Sequence, residues 1–146
     1  MNAAYRIEDG LYQGAMRIVV EHWPEIRNAV DVVLILAHSV EFIPEEYEPG
    51  IVKIVMPIPD DPNGLDQERW DRLWSICEFV KDKRVLTVCH MGENRSGLAS
   101  AMILMARGRS PAEAIRLIRA SGPARSAGQP YLLWNPGFAR QVAECR

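Results

Sequence analysis

Residues 84–97 read RVLTVCHMGENRSG, in which a short apolar run carries Cys89 into a glycine-containing loop that closes with Arg95 and Ser96. A strand that ends in such a loop and leads directly into a helix forms an anion-binding cradle. The loop N–H groups converge there, and the helix N-terminus adds partial positive charge. These dipoles favour a cysteine as its thiolate, and an arginine at the far end can clamp two phosphate oxygens. The segment therefore predicts a phosphoryl-transfer site.

Each of these residues, taken alone, has an ordinary structural interpretation. A cysteine at the end of a buried strand usually packs in the core, and an arginine near a helix start is usually solvated. The combination is more specific, because it sets a cysteine, a loop glycine, an arginine and a hydroxyl residue at fixed offsets. It favours the functional interpretation if the strand, loop and helix form as predicted.

Composition limits the classes of protein that this chain can represent. Its 146 residues suit one domain with an ordinary core, and the net charge of -2 without a basic block argues against nucleic acid as a partner. There is no apolar run of membrane-spanning length and no signal-peptide pattern, so we expect no membrane association and a cytoplasmic location. Cys77, Cys89 and Cys145 are widely spaced, which indicates reduced thiols. Cys77 lies on an apolar helix face and is expected to pack.

Predicted strands alternate with predicted helices along the chain. Apolar, β-branched runs predict strands at residues 5–13 (an edge strand that Gly14 breaks), 31–37, 51–56 and 85–89. Helical spacing of apolar residues and capping signals predict helices at residues 15–30, 66–81, 96–107, 110–120 and 136–145. Turn formers and acidic residues predict loops at residues 41–50, 57–64 and 121–129. This order predicts a single α/β domain whose central, mainly parallel sheet has helices on both faces.

Two chemically active segments each follow a predicted strand. Asp60 and Asp61 lie among prolines in residues 57–64, and Cys89 leads into the loop that ends at Arg95. Ligands bind at the carboxyl ends of parallel strands, so we expect both segments at one edge of the sheet. An Asp-Asp pair between prolines is otherwise ordinary turn chemistry, but this position favours a catalytic carboxylate.

These residues can hydrolyse a phosphate monoester. The Cys89 thiolate attacks phosphorus in line with the leaving oxygen and forms a phosphocysteine. Asp60, with Asp61 as the reserve, protonates the leaving group and then activates water, while the Ser96 hydroxyl helps the sulfur to leave. The non-bridging oxygens are held by the residues that we term the phosphate loop: His90, Met91, Gly92, Glu93, Asn94 and Arg95.

The side chains of the phosphate loop allow further interpretation. His90 follows the nucleophile, but we expect its side chain to leave the cradle because its backbone N–H faces inward, and a general-base role is the lesser alternative. Glu93 and Asn94 are expected at the rim of the loop. A carboxylate at the rim would repel polyanions, which argues against highly phosphorylated inositol lipids as substrates.

The segment CHMGENRSG, residues 89–97, resembles the signature loop of the cysteine-dependent protein tyrosine phosphatase superfamily, most closely that of the small dual-specificity phosphatases. Weaker similarity covers nearly the whole chain. EDGLYQG resembles the first strand, DVVLILA the first buried strand and VMPIPDD the strand and general-acid loop, while SPAEAIRLIR and NPGFARQV resemble the two closing helices. The resemblance implies a dual-specificity phosphatase-like catalytic domain over residues 1–146 that uses no metal or other cofactor.

The resemblance also assigns roles: Cys89 is the nucleophile, Arg95 the phosphate clamp, Ser96 the hydroxyl that aids breakdown of the intermediate, and Asp60 the general acid. One residue departs from the pattern, because Val88 stands where a histidine usually precedes the nucleophile and supports its ionisation. The chain has no room for the extra loops of larger tyrosine-specific enzymes. We therefore expect a shallow site that accepts phosphotyrosine, phosphoserine and phosphothreonine in proteins.

Three alternatives remain open at this point. A phosphate-binding module without catalysis would usually lose the cysteine or the arginine, and this chain keeps both. A thiol redox or sulfur-transfer enzyme would need a resolving thiol near Cys89, and neither Cys77 nor Cys145 is placed for that role by the sequence. The third is a phosphatase of another substrate, such as an RNA 5′-triphosphate end or a phosphosugar. The sequence does not set the oligomeric state, and a monomer is the default expectation.

Overall fold

The structure is a computed structural model that describes residues 4–38, 50–126 and 128–145. These residues include five strands and six helices. The strands are β1 (Tyr5–Glu8), β2 (Leu11–Ala15), β3 (Val32–Ile35), β4 (Val52–Val55) and β5 (Val85–Cys89). The helices are α1 (Met16–Glu21), α2 (Trp23–Ile26), α3 (Gln67–Val80), α4 (Arg95–Ala106), α5 (Pro111–Ala120) and α6 (Pro136–Ala143).

The strands form one sheet in the order β1-β2-β5-β3-β4. β1 is antiparallel to β2, and the other neighbouring pairs are parallel. β5 lies at the centre with all its residues buried, which explains its continuous apolar sequence. The predicted mainly parallel sheet is confirmed, and its central strand delivers Cys89 to the carboxyl edge.

Helices cover both faces of the sheet, as predicted. On one face α1 and α2 pack against β3 and β5 through residues such as Val19 and Ile26. On the other face α3 to α6 enclose a larger core, in which Cys77 is fully buried and its Sγ lies 3.7 Å from Ala99 O. Burial raises the pKa of the Cys77 thiol far above that of an exposed cysteine. The predicted packing role of Cys77 is confirmed.

The N-terminal segment differs from the prediction of one edge strand over residues 5–13. It forms the hairpin of β1 and β2, and the chain turns at Gly10, whose φ of 75° lies in the left-handed region open to glycine. Asp9-Gly10 is a hairpin turn signal, which accounts for the second strand. Gly14 does not break the strand but lies inside β2, which pairs with β5 and is not an edge.

The remaining predicted elements are present, with ends that differ by a few residues. The predicted loop at residues 57–64 is confirmed and leads to α3, whose N-cap Asp66 accepts a hydrogen bond from Arg69 N. The capping box of Ser110 and Glu113 starts α5 as predicted. The last helix ends at Ala143 rather than at residue 145. Of the predicted loop at residues 41–50, all but Gly50 lies outside the described residues. Within the described ranges, every helix is too short or too polar to span a membrane.

Candidate active site

The phosphate loop connects the end of β5 to the first turn of α4. Its turn depends on Gly92, whose φ of 73° lies in the left-handed region. A Cβ at this position would lie 2.5 Å from both Ala15 N and the carbonyl carbon of Gly14. Glycine is therefore required at position 92 for two reasons, the left-handed backbone angle and the close approach of β2.

The carbonyl groups in the middle of the phosphate loop point into the protein. Gln13 Nε2 donates to Gly92 O at 2.9 Å and to Glu93 O at 3.3 Å, and Leu133 N donates to Glu93 O at 3.1 Å. In a trans peptide the N–H points opposite to the C=O. The N–H groups of Glu93 and Asn94 therefore point away from these contacts, as an anion-binding loop requires.

The Cys89 sulfur lies at the base of this loop, and the residue as a whole is 2% exposed. Gly92 N donates to Cys89 Sγ at 3.2 Å, and Ser96 Oγ lies 3.2 Å from the same sulfur. The sulfur therefore lies within hydrogen-bond distance of a backbone N–H and of a hydroxyl, both of which are able to donate to it. The nucleophile and the hydroxyl predicted from the sequence are thus in direct contact.

Arg95 begins α4 at the other end of the phosphate loop. Its Nε atom is buried and has no hydrogen-bond partner among the described residues. Buried donors are nearly always paired. A buried, unpaired guanidinium donor next to an anion-binding loop is suited to take an oxygen of a bound anion as its acceptor.

The expectation that Glu93 and Asn94 lie at the rim of the loop is wrong, because the two residues are 1% and 3% exposed. The Glu93 carboxylate accepts hydrogen bonds from Arg125 N, Ser126 N, Ser126 Oγ and Trp134 Nε1 at 2.6 to 3.0 Å. Burial alone would raise the pKa of Glu93, but hydrogen bonds from Ser126, Trp134 and Arg125 outweigh it and hold the pKa below its ordinary value. The carboxylate ties the connection between α5 and α6 to the phosphate loop. The Glu93 carboxylate is therefore not placed to repel polyanionic substrates from the rim, and the argument against such substrates no longer holds.

Asp60 lies beside the phosphate loop, on the segment at residues 57–64 that we term the acid loop. Asn94 Nδ2 donates to Asp60 Oδ2 at 3.3 Å, and Asn135 Nδ2 donates to Asp60 Oδ1 at 2.7 Å. Asn135 N in turn donates to Asn94 Oδ1 at 2.8 Å, which joins the three residues. The predicted convergence of the two segments at one edge of the sheet is confirmed.

The carboxylate of Asp61 is engaged elsewhere. Its Oδ1 accepts from Asn63 N at 2.8 Å, which is a local turn contact. The backbone carbonyl of Asp61 accepts from Asn135 Nδ2 at 2.9 Å. Of the two neighbouring aspartates, Asp60 has the side chain that is hydrogen-bonded to the phosphate loop.

Val88, which precedes the predicted nucleophile, offers the site no polar group. Its side chain is fully buried between the sheet and α1, and it has no polar atom. The polar support of the phosphate loop comes from Gln13 on the adjacent strand β2, which is also fully buried. His90 and Met91 are exposed and lie on the outer side of the loop.

Sequence reasoning missed the residues that hold the site from a distance: Gln13, Ser126, Trp134 and Asn135. One of them carried a signal, because Asn135 precedes Pro136, as a helix N-cap does. Asn135 does cap α6, because its Oδ1 accepts from Gly137 N at 2.9 Å. Its Nδ2 remains free to hold Asp60.

Comparison with known proteins identifies the fold. No protein-family profile and no curated protein sequence matches the chain. Human DUSP28 is 22% identical with a TM-score of 0.70, over 97% of this chain and 91% of that chain. Tk-PTP in its active form is 21% identical with a TM-score of 0.71, over 99% of both chains. A mouse putative dual specificity phosphatase, complexed with zinc tungstate, is 21% identical with a TM-score of 0.71, over 97% of this chain and 85% of that chain. The chain therefore has the fold of the small dual-specificity phosphatases, as the resemblance implied.

Proposed function

We propose that this chain is a cysteine-dependent phosphatase that hydrolyses phosphate monoesters in proteins through a phosphocysteine intermediate, with residues 1–146 as its catalytic domain. One observation carries the proposal. The Cys89 sulfur accepts the Gly92 N–H and contacts Ser96 Oγ at the base of a loop whose carbonyls are turned away. This arrangement sets the sulfur, with two hydrogen-bond donors beside it, at the base of a loop that is suited to bind an anion.

In the first step the Cys89 thiolate attacks phosphorus, and the bond between phosphorus and the ester oxygen breaks as the P–S bond forms. The phosphate loop amides and the Arg95 guanidinium hold the non-bridging oxygens, on which charge is spread in the transition state. The leaving oxygen takes a proton from the carboxyl group of Asp60. The dephosphorylated hydroxyl compound leaves, and a phosphocysteine remains.

In the second step the Asp60 carboxylate accepts a proton from water, and the resulting hydroxide attacks the phosphocysteine. The P–S bond breaks, inorganic phosphate leaves, and sulfur departs as a thiolate. Ser96 Oγ, 3.2 Å from this sulfur, donates a hydrogen bond to the charge that develops there. Asp60 is thereby protonated again for the next cycle.

Two features support phosphorylated proteins as the substrate class. The similar solved structures named above, human DUSP28, Tk-PTP and a mouse putative dual specificity phosphatase, are phosphatases. Asp60 and the outer residues of the phosphate loop are exposed, which suits a shallow site that phosphotyrosine, phosphoserine and phosphothreonine can all reach. The redox alternative lacks such support, because the Cys77 sulfur is buried against Ala99.

Hydrolysis of 4-nitrophenyl phosphate tests the proposal. We expect Cys89→Ser and Arg95→Ala to lower kcat/KM by about a thousandfold or more, since the first removes the nucleophile and the second the clamp. Cys145→Ser is the matched control for loss of a thiol, because Cys145 lies at the partly exposed end of the chain. Activity that survives in Cys89→Ser, or that is lost equally in Cys145→Ser, would contradict the mechanism. Phosphate binding without turnover by the wild type would instead support the non-catalytic alternative.

A further inference from the structure

A pocket of about 400 Å³ lies on the outer side of the phosphate loop. We term it the side pocket, and its lining residues are Ala15, Arg17, Ile18, His90, Met91 and Arg125. His90 and Met91 directly follow the proposed nucleophile in the sequence. The side pocket therefore borders the phosphate loop.

The lining of the side pocket combines apolar surface with positive charge. Ala15, Ile18 and Met91 are apolar, and Met91 is 43% exposed although a large apolar side chain gains by burial. Arg17 and Arg125 are cations, and none of the six lining residues carries a carboxylate. This composition suits a ligand that has an apolar group next to an anionic one.

Both arginines can interact with such a ligand. Arg17 pairs with Glu21 at 3.1 Å, but the two side chains are 88% and 50% exposed, and a pair so exposed is weak and easily exchanged. The Arg125 guanidinium lies 5.1 Å from the centroid of the Tyr5 ring, and the Arg125 backbone N–H is held by Glu93. Stacking on an aromatic ring orients the guanidinium and leaves its charge in place.

We propose that the side pocket recognises the residues next to the phosphorylated side chain of a phosphopeptide, with an apolar side chain against Met91 and Ile18 and an acidic side chain beside Arg17 and Arg125. The inference rests on the function proposed above and names its substrate class more closely. An extended peptide advances about 3.3–3.6 Å per residue, so a residue one to three positions from the phosphate reaches a pocket that borders the phosphate loop.

Two other classes of anion fit the side pocket less well. A free inositol polyphosphate has no apolar group to cover the exposed Met91 side chain. An RNA strand is held by a track of cations along its backbone, whereas the side pocket offers two arginines and the chain as a whole is slightly acidic. An acidic and apolar peptide segment uses both halves of the lining.

Three phosphotyrosine peptides test the inference. One has only Gly and Ser around the phosphotyrosine, one has Leu-Glu directly after it, and one has Glu-Leu directly before it. We expect one of the two substituted peptides to have a kcat/KM about tenfold above that of the Gly/Ser peptide. The gain comes from the contact of Leu with the apolar lining of the side pocket and from the ion pair of Glu with its arginines. In the double variant Arg17→Glu/Arg125→Glu, this preference should disappear and a peptide with Lys in place of Glu should become the better substrate. Arg72→Glu on α3 is the matched charge reversal away from the side pocket and should keep the wild-type preference.

The preference is a ratio of two substrates on one variant, so effects of a substitution on folding or on the chemical step cancel. The inference is overturned if neither substituted peptide exceeds the Gly/Ser peptide, or if the double variant keeps the preference for Glu. It is also overturned if a 5′-triphosphorylated RNA or inositol hexakisphosphate is hydrolysed more efficiently than every peptide. Hydrolysis of 4-nitrophenyl phosphate separates these failures from a failure of the proposed function, since that small ester does not extend into the side pocket.

Discussion

The phosphate loop and the acid loop meet at one edge of the sheet, but they are held in different ways. Gly92, Glu93 and Asn94 of the phosphate loop are buried and are fixed by β2 on one side and by the connection between α5 and α6 on another. Residues 59–63 of the acid loop are exposed. Its contact with the phosphate loop is the hydrogen bond from Asn94 to Asp60. From α6, Asn135 donates to Asp60 Oδ1 and to Asp61 O, and Arg140 donates to Asn63 O.

The difference corresponds to two chemical tasks. Stabilisation of transition-state charge is effective when the donors are fixed before the substrate arrives. A proton donor must instead reach leaving groups of different size and acidity. Changes in the phosphate loop should therefore affect every substrate alike, whereas changes in the acid loop should depend on the leaving group.

Among substitutions that distinguish the two loops, the largest effect is expected from Gly92→Ala. The added Cβ would collide with the backbone of β2 and strain a left-handed backbone angle, so the loop amides and the Cys89 contact must shift. Misplacement of catalytic groups by about 1 Å can cost about a hundredfold, and we expect at least that loss in kcat/KM for good and poor leaving groups alike.

Gly108→Ala is the matched control for Gly92→Ala. Gly108 also has a positive φ, 102°, but nothing lies within 4 Å of an added Cβ there. The free energy of unfolding should fall by about 1–3 kcal/mol from backbone strain, without a change in kcat/KM. Similar losses of activity in both variants would show that activity does not depend on the shape that Gly92 gives to the phosphate loop.

The next effect concerns the two aspartates of the acid loop. Asp60→Asn should lower kcat for phenyl phosphate by about a hundredfold, because general acid catalysis contributes that much for a poor leaving group. For 4-nitrophenyl phosphate, which leaves readily, the loss should be much smaller. Asp61→Asn is the isosteric control and should change the two rates equally and only slightly, since its carboxylate binds Asn63 N. A larger leaving-group effect in Asp61→Asn would transfer the acid role to that residue.

The sequence predicted those parts of the site that are formed by short continuous segments of the chain. The β5–loop–α4 unit and the approach of Asp60 follow from apolar runs, turn residues and the rule for strand ends, and each is present. The side chains that hold the site in place from distant parts of the chain were not predictable in this way. Gln13 and Gly92 are 79 residues apart, and Trp134 and Glu93 are 41 residues apart. Which polar side chain reaches which loop is set by tertiary packing, and no local periodicity records it.

Glu93 illustrates the same limit most directly. Its position in a loop at the mouth of an anion site suggests an exposed carboxylate, and a lone sequence gives no hint of the four donors that surround it. Charged residues are almost never fully buried unless they are paired. The pairing comes from residues 125–134, which follow α5.

The third prediction uses this carboxylate to separate structural from chemical roles. Glu93→Gln should lower the free energy of unfolding by about 2 kcal/mol at pH 7, because charge-assisted hydrogen bonds are lost. The pKa of Glu93 is lower in the folded state than in the unfolded state, so its stabilisation is present above the unfolded pKa of about 4.3. It is lost as the pH falls through the folded pKa. The difference between wild type and Glu93→Gln in urea unfolding should therefore shrink below about pH 4.

Glu68→Gln on α3 serves as the control for Glu93→Gln. Its side chain is 82% exposed and pairs with Arg72, and such a pair contributes less than about 1 kcal/mol. A pH-independent difference between wild type and Glu93→Gln would mean that packing of the side chain, and not its charge, holds the connection between α5 and α6.

The smallest effect is expected at Gln13, which supports the phosphate loop from below. Gln13→Met keeps the size of the side chain but removes the donor to Gly92 O and Glu93 O, so the loop amides become less rigidly oriented. We expect kcat/KM for 4-nitrophenyl phosphate to fall by about tenfold, since each of the two neutral hydrogen bonds contributes about 0.5–1 kcal/mol. Thr87→Val removes the neighbouring buried hydrogen bond between Thr87 and Ser100, which does not touch the loop, and should lower stability without lowering activity. If Gln13→Met behaves like Thr87→Val, the position of the loop amides is set by Gly92 and Glu93 alone.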